Sequence, residues 1–213
     1  MNARDVAAAG APPTSRVGVL VYAGCDLLDL GGPYEALLTA DRLLARAEAG
    51  VRIEVTTLGV GAAPLTAYGG LGLVPHLPAD AAGHLDALIV PGTIEVAAAL
   101  ADTELVATVR RLAERSALVT SVCTGSFLLA AAGLLEGRRA TTHQEDLPAL
   151  AAREDVGAAI GDVRLVDDGS VVTAGGLSCG LDLGLHLVAR LVDGELATAT
   201  AAQIAHPYPP TGA

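Results

Sequence analysis

A chain of 213 residues that is 52% hydrophobic and only 2% aromatic can bury one core, built from Ala, Leu and Val, and asks for no second one. Its formal charge of -11 works against binding nucleic acid or an anionic membrane surface, because affinity for polyanions rests on Lys and Arg neutralising phosphates; the expected partner is a small or uncharged molecule. The apolar runs fall short of the roughly 20 residues that span a bilayer, and Cys25, Cys123 and Cys179, an odd number without CxxC spacing, speak against a disulfide scaffold or a metal site.

Residues 1–15 carry no basic segment followed by an apolar one and read as a disordered leader, not a signal peptide. With free thiols, that predicts a cytoplasmic protein. Residues 16–213 read as a single domain. "RVGVLVYA" (Arg16 to Ala23) reads as a buried strand, and Gly32 to Gly50 as an amphipathic helix with Pro33 in its first turn and Gly50 at its end. "VRIEVTTLG" alternates as a strand, and Gly69-Gly70 marks a small hairpin within residues 62–74. "LDALIVPG" is another buried strand, followed by helical patterns through Ser116; "ALVTSV" is the next strand, ahead of a helix from Gly125 to about Leu135. After "RRATTH" come two strands turning at Asp168-Gly169, then a helix from about Ser178 to Leu191. Strands alternating with helices predict an α/β fold with a mainly parallel central sheet.

In such folds ligands bind beyond the carboxyl ends of the strands. Three of those ends carry chemistry: "YAGCDLLDLGGP", "VPGT" and "SVCTGS". Cys123 is either a small hydrophobe closing a strand or a nucleophile on an elbow. A helix N-terminus directly downstream would lower its pKa, and the amide of Gly92 or Thr93 could join in binding a developing negative charge. Asp29 lies in an apolar run ahead of Pro33, where a helix N-cap is the plain alternative.

"LLDLGGPYEAL", "LIVPG", "SVCTGSFLLAAAGLLEGRRATTH" and "TAGGLSCGLDLGLHLVARL", in that order along the chain, resemble the ThiJ/PfpI superfamily, and within it the isonitrile (isocyanide) hydratases. The resemblance runs from Arg16 to the "HPYPP" near the C-terminus. It implies the flavodoxin-like three-layer sandwich with a nucleophile elbow, Cys123 as nucleophile, Thr124 presenting amide and hydroxyl to the site, and Asp29 handling protons. It also implies a homodimer acting on a small-molecule substrate without metal or organic cofactor. Gly92, Thr93, Gly176, Leu177 and His143 are expected to line the substrate pocket. Cys25, a second active thiol in the alternative, fits a packed loop residue better; Cys179 and Asp182 read as structural, and His84, His186 and His206, without metal-ligand spacing, as scattered surface or core residues.

The sequence departs from the family's Pro-Gly-Gly loop, with Thr93 in the place of the second Gly, which puts pocket width in question. Relatives with peptidase character carry His after the nucleophile, where Thr124 stands here. Two other readings stay open: a glyoxalase or deglycase-type enzyme, or one acting on a specialised metabolite, through the same Cys123; and a ligand-sensing domain like that of AraC-type regulators, which would need a helix-turn-helix that these residues do not display.

Overall fold

The computed structural model describes residues 12–61 and 63–208. Most of the expected leader, residues 1–11, and the last two residues of "HPYPP" lie outside the described residues. The fold starts inside the leader's expected span, because β1 (Thr14–Val21) begins two residues before Arg16. There follow α1 (Leu27–Arg46), β2 (Arg52–Gly59), the pair β3 (Leu65–Thr66) and β4 (Gly72–Leu73), β5 (Leu77–Pro78), β6 (Leu85–Val90), α2 (Val96–Ala101) and α3 (Thr103–Ala113). The second half adds β7 (Ser116–Val122), α4 (Gly125–Ala131), β8 (Arg139–Ala140), α5 (Leu147–Ala151), β9 (Ala158–Ala159), β10 (Leu165–Asp167), β11 (Val171–Ala174), α6 (Cys179–Leu191) and α7 (Gly194–Gln203).

The seven-stranded sheet runs β10-β11-β7-β6-β1-β2-β5, and β10 alone joins it antiparallel. Alternation along the strands feeds two cores. In β6, Ala87 and Ile89 face the layer of α1, α6 and α7, whereas Leu88 and Val90 face that of α3 and α4. Burial on both faces is what makes these strands read as continuous apolar runs. The result is the expected three-layer α/β sandwich. Among the described residues, no helix is long and apolar enough to cross a membrane.

Three helix boundaries differ from expectation. α1 starts five residues early because Asp26 caps it, its side chain accepting from the Leu28 N–H at 2.9 Å; capping outweighs the signal of Pro33, which ends up inside the helix. At the other end α1 stops at Arg46, ahead of Gly50, where Glu48 at φ 50° turns the chain; Gly50 follows at φ +70°. α4 stops at Ala131, short of Leu135, because Gly133 at φ +79° turns the chain back: its N–H donates to Ala130 and that of Leu134 to Leu129.

The early start of α1 sets its contact with α6. A Cβ at Gly180 would lie 3.0 Å from Pro33 Cδ, and one at Gly184 2.7 Å from Ala36 Cβ. Glycines four apart let the two helices touch backbone to side chain. This crossing anchors the turn of α1 that carries Asp29.

Candidate active site

β7 lies between β11 and β6, with Ala174 opposite Val122 and Val90 opposite Ser121. The loops after all three strands, and the one after β1, therefore meet where β7 ends. There the chain turns on Cys123, held at φ 55°, a strained left-handed conformation for a side chain with a Cβ. Its N–H is shared between the carbonyls of Ala174 and Gly175, at 3.0 and 2.9 Å. Its carbonyl accepts from the hydroxyls of Thr142 and Ser126 at 3.0 and 3.2 Å. Gly125 lets the turn close, since a Cβ there would lie 2.3 Å from the Val90 carbonyl.

Asp29 is not the N-cap of α1; Asp26 is. Asp29 points inward from the first turn, fully buried, and its Oδ2 accepts from the Gly92 N–H at 3.0 Å. Its Oδ1 closes no hydrogen bond of ordinary geometry. Burial, then the charge of Asp26, raise the carboxyl to about 7, against the pull of the Gly92 N–H, the Cys123 thiol and the Leu177 amide. The expectation of a lowered thiol fails: burial, then the charge of Asp29, push Cys123 up to about 12, outweighing the Thr124 and Leu177 amides and the Thr124 hydroxyl. α4 has only seven residues, and its positive end does not offset the loss of water around the sulfur.

Thr124 turns both its amide and its hydroxyl toward the Cys123 sulfur, and each pulls against the rise of the thiol, but Oγ1 has further partners. Oγ1 donates to the Thr93 carbonyl at 2.7 Å and accepts from the Thr93 N–H at 2.8 Å. This double clasp takes up the Thr93 amide, and Asp29 takes up that of Gly92, so neither is free for a developing anion. The amides of Thr124 and Leu177 remain, and with the Thr124 hydroxyl they act on the sulfur. Thr93 does not narrow the elbow with its own hydroxyl either: Oγ1 donates to the Gly24 carbonyl at 2.8 Å and accepts from the Glu95 N–H at 3.1 Å. It braces the loop after β1.

A cavity of about 210 Å³ opens onto Cys123, with Thr93, Thr124, Leu177 and His143 among its walls. Leu177 reaches it from a left-handed turn at φ 46°. Gly92 and Gly176 do not line it. Gly92 backs the pair, where a Cβ would meet Thr124 Oγ1 at 2.5 Å and Asp29 Oδ2 at 2.8 Å, and Gly176 backs His143, whose Cδ2 a Cβ would meet at 2.1 Å. Asp26, Glu145 and Asp146 at the cavity wall went unread in the sequence, as did Tyr22, whose hydroxyl donates to the Pro91 carbonyl at 2.9 Å. The first could have been read from "CDLLDLGG", a capping Asp before an apolar turn; Tyr22 carried no signal beyond its place at a strand end.

Of the remaining residues singled out in the sequence, His84 is exposed. Cys25 is fully buried, Asp182 accepts from Arg164 Nε at 2.9 Å, His186 contacts Asp167 at 2.8 Å and His206 lies 3.4 Å from Asp182. Among the described residues, no group of three or more His, Cys, Asp or Glu is placed to hold a metal ion.

The chain is 34% identical to the isonitrile hydratase of Pseudomonas putida over 199 residues, covering 92% of this chain and 80% of that protein. It is 30% identical to the HTH-type transcriptional regulator GbdR of Pseudomonas aeruginosa over 197 residues, which take in 90% of this chain but only 52% of the regulator. The crystal structure of a ThiJ/PfpI family protein from Pseudomonas syringae superposes with a TM-score of 0.79 at 31% identity, covering 95% of this chain and 80% of that one. The family model described as DJ-1/PfpI family matches residues 15–190. With the elbow, the fold and these likenesses in agreement, the chain belongs to the DJ-1/PfpI family.

Proposed function

We propose that this protein is a cofactor-independent hydratase that converts isocyanides to N-substituted formamides through Cys123 and Asp29. One observation carries the reading: the Cys123 thiol lines a small cavity and is backed by the fully buried Asp29 carboxyl, the thiol raised to about 12 and the carboxyl to about 7. A group titrating near 7 both takes and gives a proton at neutral pH. Asp29 accepts the thiol proton and delivers it to the terminal isocyanide carbon, while the sulfur adds to that same carbon, giving a thioimidate. Water adds to this carbon, the C–S bond breaks, the sulfur regains its proton and the formamide leaves. One isocyanide and one water become one formamide. The likeness to an isonitrile hydratase over most of both chains supports the substrate class. We place the enzyme in the cytoplasm, where free thiols stay reduced, and as a symmetric homodimer, which light scattering tests directly.

A second reading is favoured by the GbdR likeness: a domain that binds a small metabolite without turning it over. The deciding experiment follows loss of aryl and alkyl isocyanides with matched formamide formation in the wild type, Cys123→Ala and Asp29→Asn. The hydratase reading expects turnover that Cys123→Ala abolishes and Asp29→Asn cuts by about 10²-fold or more. Inertness towards isocyanides with Cys123-dependent turnover of methylglyoxal moves the assignment to the glyoxalase type. Inertness towards both, with binding of a metabolite, moves it to the sensor.

A further inference from the structure

The peptide between Pro91 and Gly92 is held at both ends. Its carbonyl accepts from Tyr22 Oη at 2.9 Å, and its N–H donates to Asp29 Oδ2 at 3.0 Å. A planar trans peptide points its C=O and N–H in opposite directions, so fixing one fixes the aim of the other. Tyr22 is 3% exposed and Asp29 fully buried; no water competes for either bond. There is no slack around the peptide, because the Gly92 carbonyl is itself taken by the Asp26 N–H at 2.9 Å.

We infer that Tyr22 is a positioning residue for the Cys123–Asp29 pair: by gripping the Pro91 carbonyl it aims and strengthens the Gly92 N–H that supports the Asp29 carboxylate. The inference rests on that pair being the reacting one, as proposed above. A carbonyl that accepts a hydrogen bond polarises its peptide and makes the N–H of the same unit a better donor. The titratable groups facing Asp29 are Tyr22 and Cys25 from β1 and its loop, Asp26 from the start of α1, Cys123 from the elbow, and Cys179 from α6. Only Tyr22 reaches Asp29 through a peptide that both of them hold.

The test reads the pair without relying on any substrate. The rate of Cys123 alkylation by iodoacetamide, followed by peptide mass mapping from pH 5 to 10, reports the proton held between thiol and carboxyl. Tyr22→Phe keeps the ring and removes the hydroxyl. The expected result is that the first rise in rate moves to higher pH by about 0.5 unit or more, and that the plateau above it rises about 3-fold, as a more basic Asp29 draws the proton from sulfur. Replacing the tyrosines by 3-fluorotyrosine, a stronger donor, moves both the other way. Circular dichroism confirms that each variant is folded. A Tyr22→Phe protein that melts earlier but keeps the wild-type profile overturns the inference, leaving Tyr22 a packing residue, and so does a fluorotyrosine shift of the same sign. Absence of isocyanide turnover in the wild type overturns the proposed function and leaves this profile readable.

Discussion

Cys123 and Asp29 share one proton rather than hold two charges. Burial and then the charge of Asp29 push the thiol up to about 12, while burial and then the charge of Asp26 lift Asp29 to about 7. Loss of the first proton from such a pair belongs to the pair and not to either residue. Alkylation of Cys123 is therefore expected to rise in a step near pH 7 and then run flat. Asp29→Asn is expected to lose the step and to climb steadily with pH, about tenfold per unit below the thiol's own pKa. Mass mapping after iodoacetamide treatment checks both profiles, with fully buried Cys25 expected to label most slowly. A wild-type profile without a step near neutrality contradicts the coupling.

The raised carboxyl also has a stability consequence, and its sign is fixed. Asp29 titrates at about 7 in the folded chain against 3.8 for an ordinary Asp, so the folded state holds its proton more tightly. That stabilisation is complete below about pH 4 and is lost as the pH rises through 7. Asp29→Asn removes the pH-dependent cost and is expected to raise stability at pH 8 by on the order of 2–4 kcal/mol relative to its effect at pH 4. Denaturant melts at the two pH values measure this. An equal effect at both places the carboxyl at an ordinary pKa.

Thr124 gives a contrast between hydroxyl and methyl. Its Oγ1 satisfies both the N–H and the carbonyl of Thr93, on residues that are both buried. Thr124→Val keeps the shape and leaves two buried backbone groups unpaired, an expected loss of about 2–4 kcal/mol. For a chain of this size that is a fall in melting temperature of roughly 5–15 °C. Thr124→Ser is expected to recover most of it. Equal melting of the Val and Ser variants counts against the clasp.

What the sequence made legible and what it hid divide along physical lines. The buried strands carry continuous apolar runs, and the hairpin at Asp168-Gly169 carries its turn residues, so order and class were readable; Gly169 takes φ +84° and Asp167 Oδ1 accepts from its N–H. Helix limits were not, because Asp26 competes with Pro33 for the start of α1, and α7, "GELATATAAQ", has no apolar stripe to announce it. At the candidate site, Cys123 and Asp29 were read from motif and position. The direction of the thiol's shift was misread, since a local helix end is visible in sequence whereas desolvation by distant strands is not. The amides of Gly92 and Thr93 were assigned to a ligand and turn out to be occupied by Asp29 and Thr124, a pairing across 63 and 31 residues.

Thr93 tests whether a side chain that departs from the family's loop obstructs the site or supports it. From sequence, a β-branched residue beside the elbow suggests a narrowed pocket. In the structure Thr93 Oγ1 bridges the Gly24 carbonyl and the Glu95 N–H, joining the loop after β1 to the start of α2, and the backbone of Thr93 faces Cys25 in an isolated antiparallel bridge. The loop so held is the one that leads into Asp26 and Asp29. Thr93→Gly removes the brace and adds backbone freedom, with an expected cost of about 1–2 kcal/mol. Access to Cys123 is expected to change little, because the hydroxyl is aimed at Gly24 rather than at the sulfur. Thr93→Ser keeps the hydroxyl and is expected to keep the stability. The measurements are thermal melting and the alkylation rate of Cys123 at pH 8 for both variants. A Thr93→Gly protein as stable as the wild type, with alkylation faster by tenfold or more, makes Thr93 an obstruction; a melting loss with alkylation within about threefold makes it the brace described here.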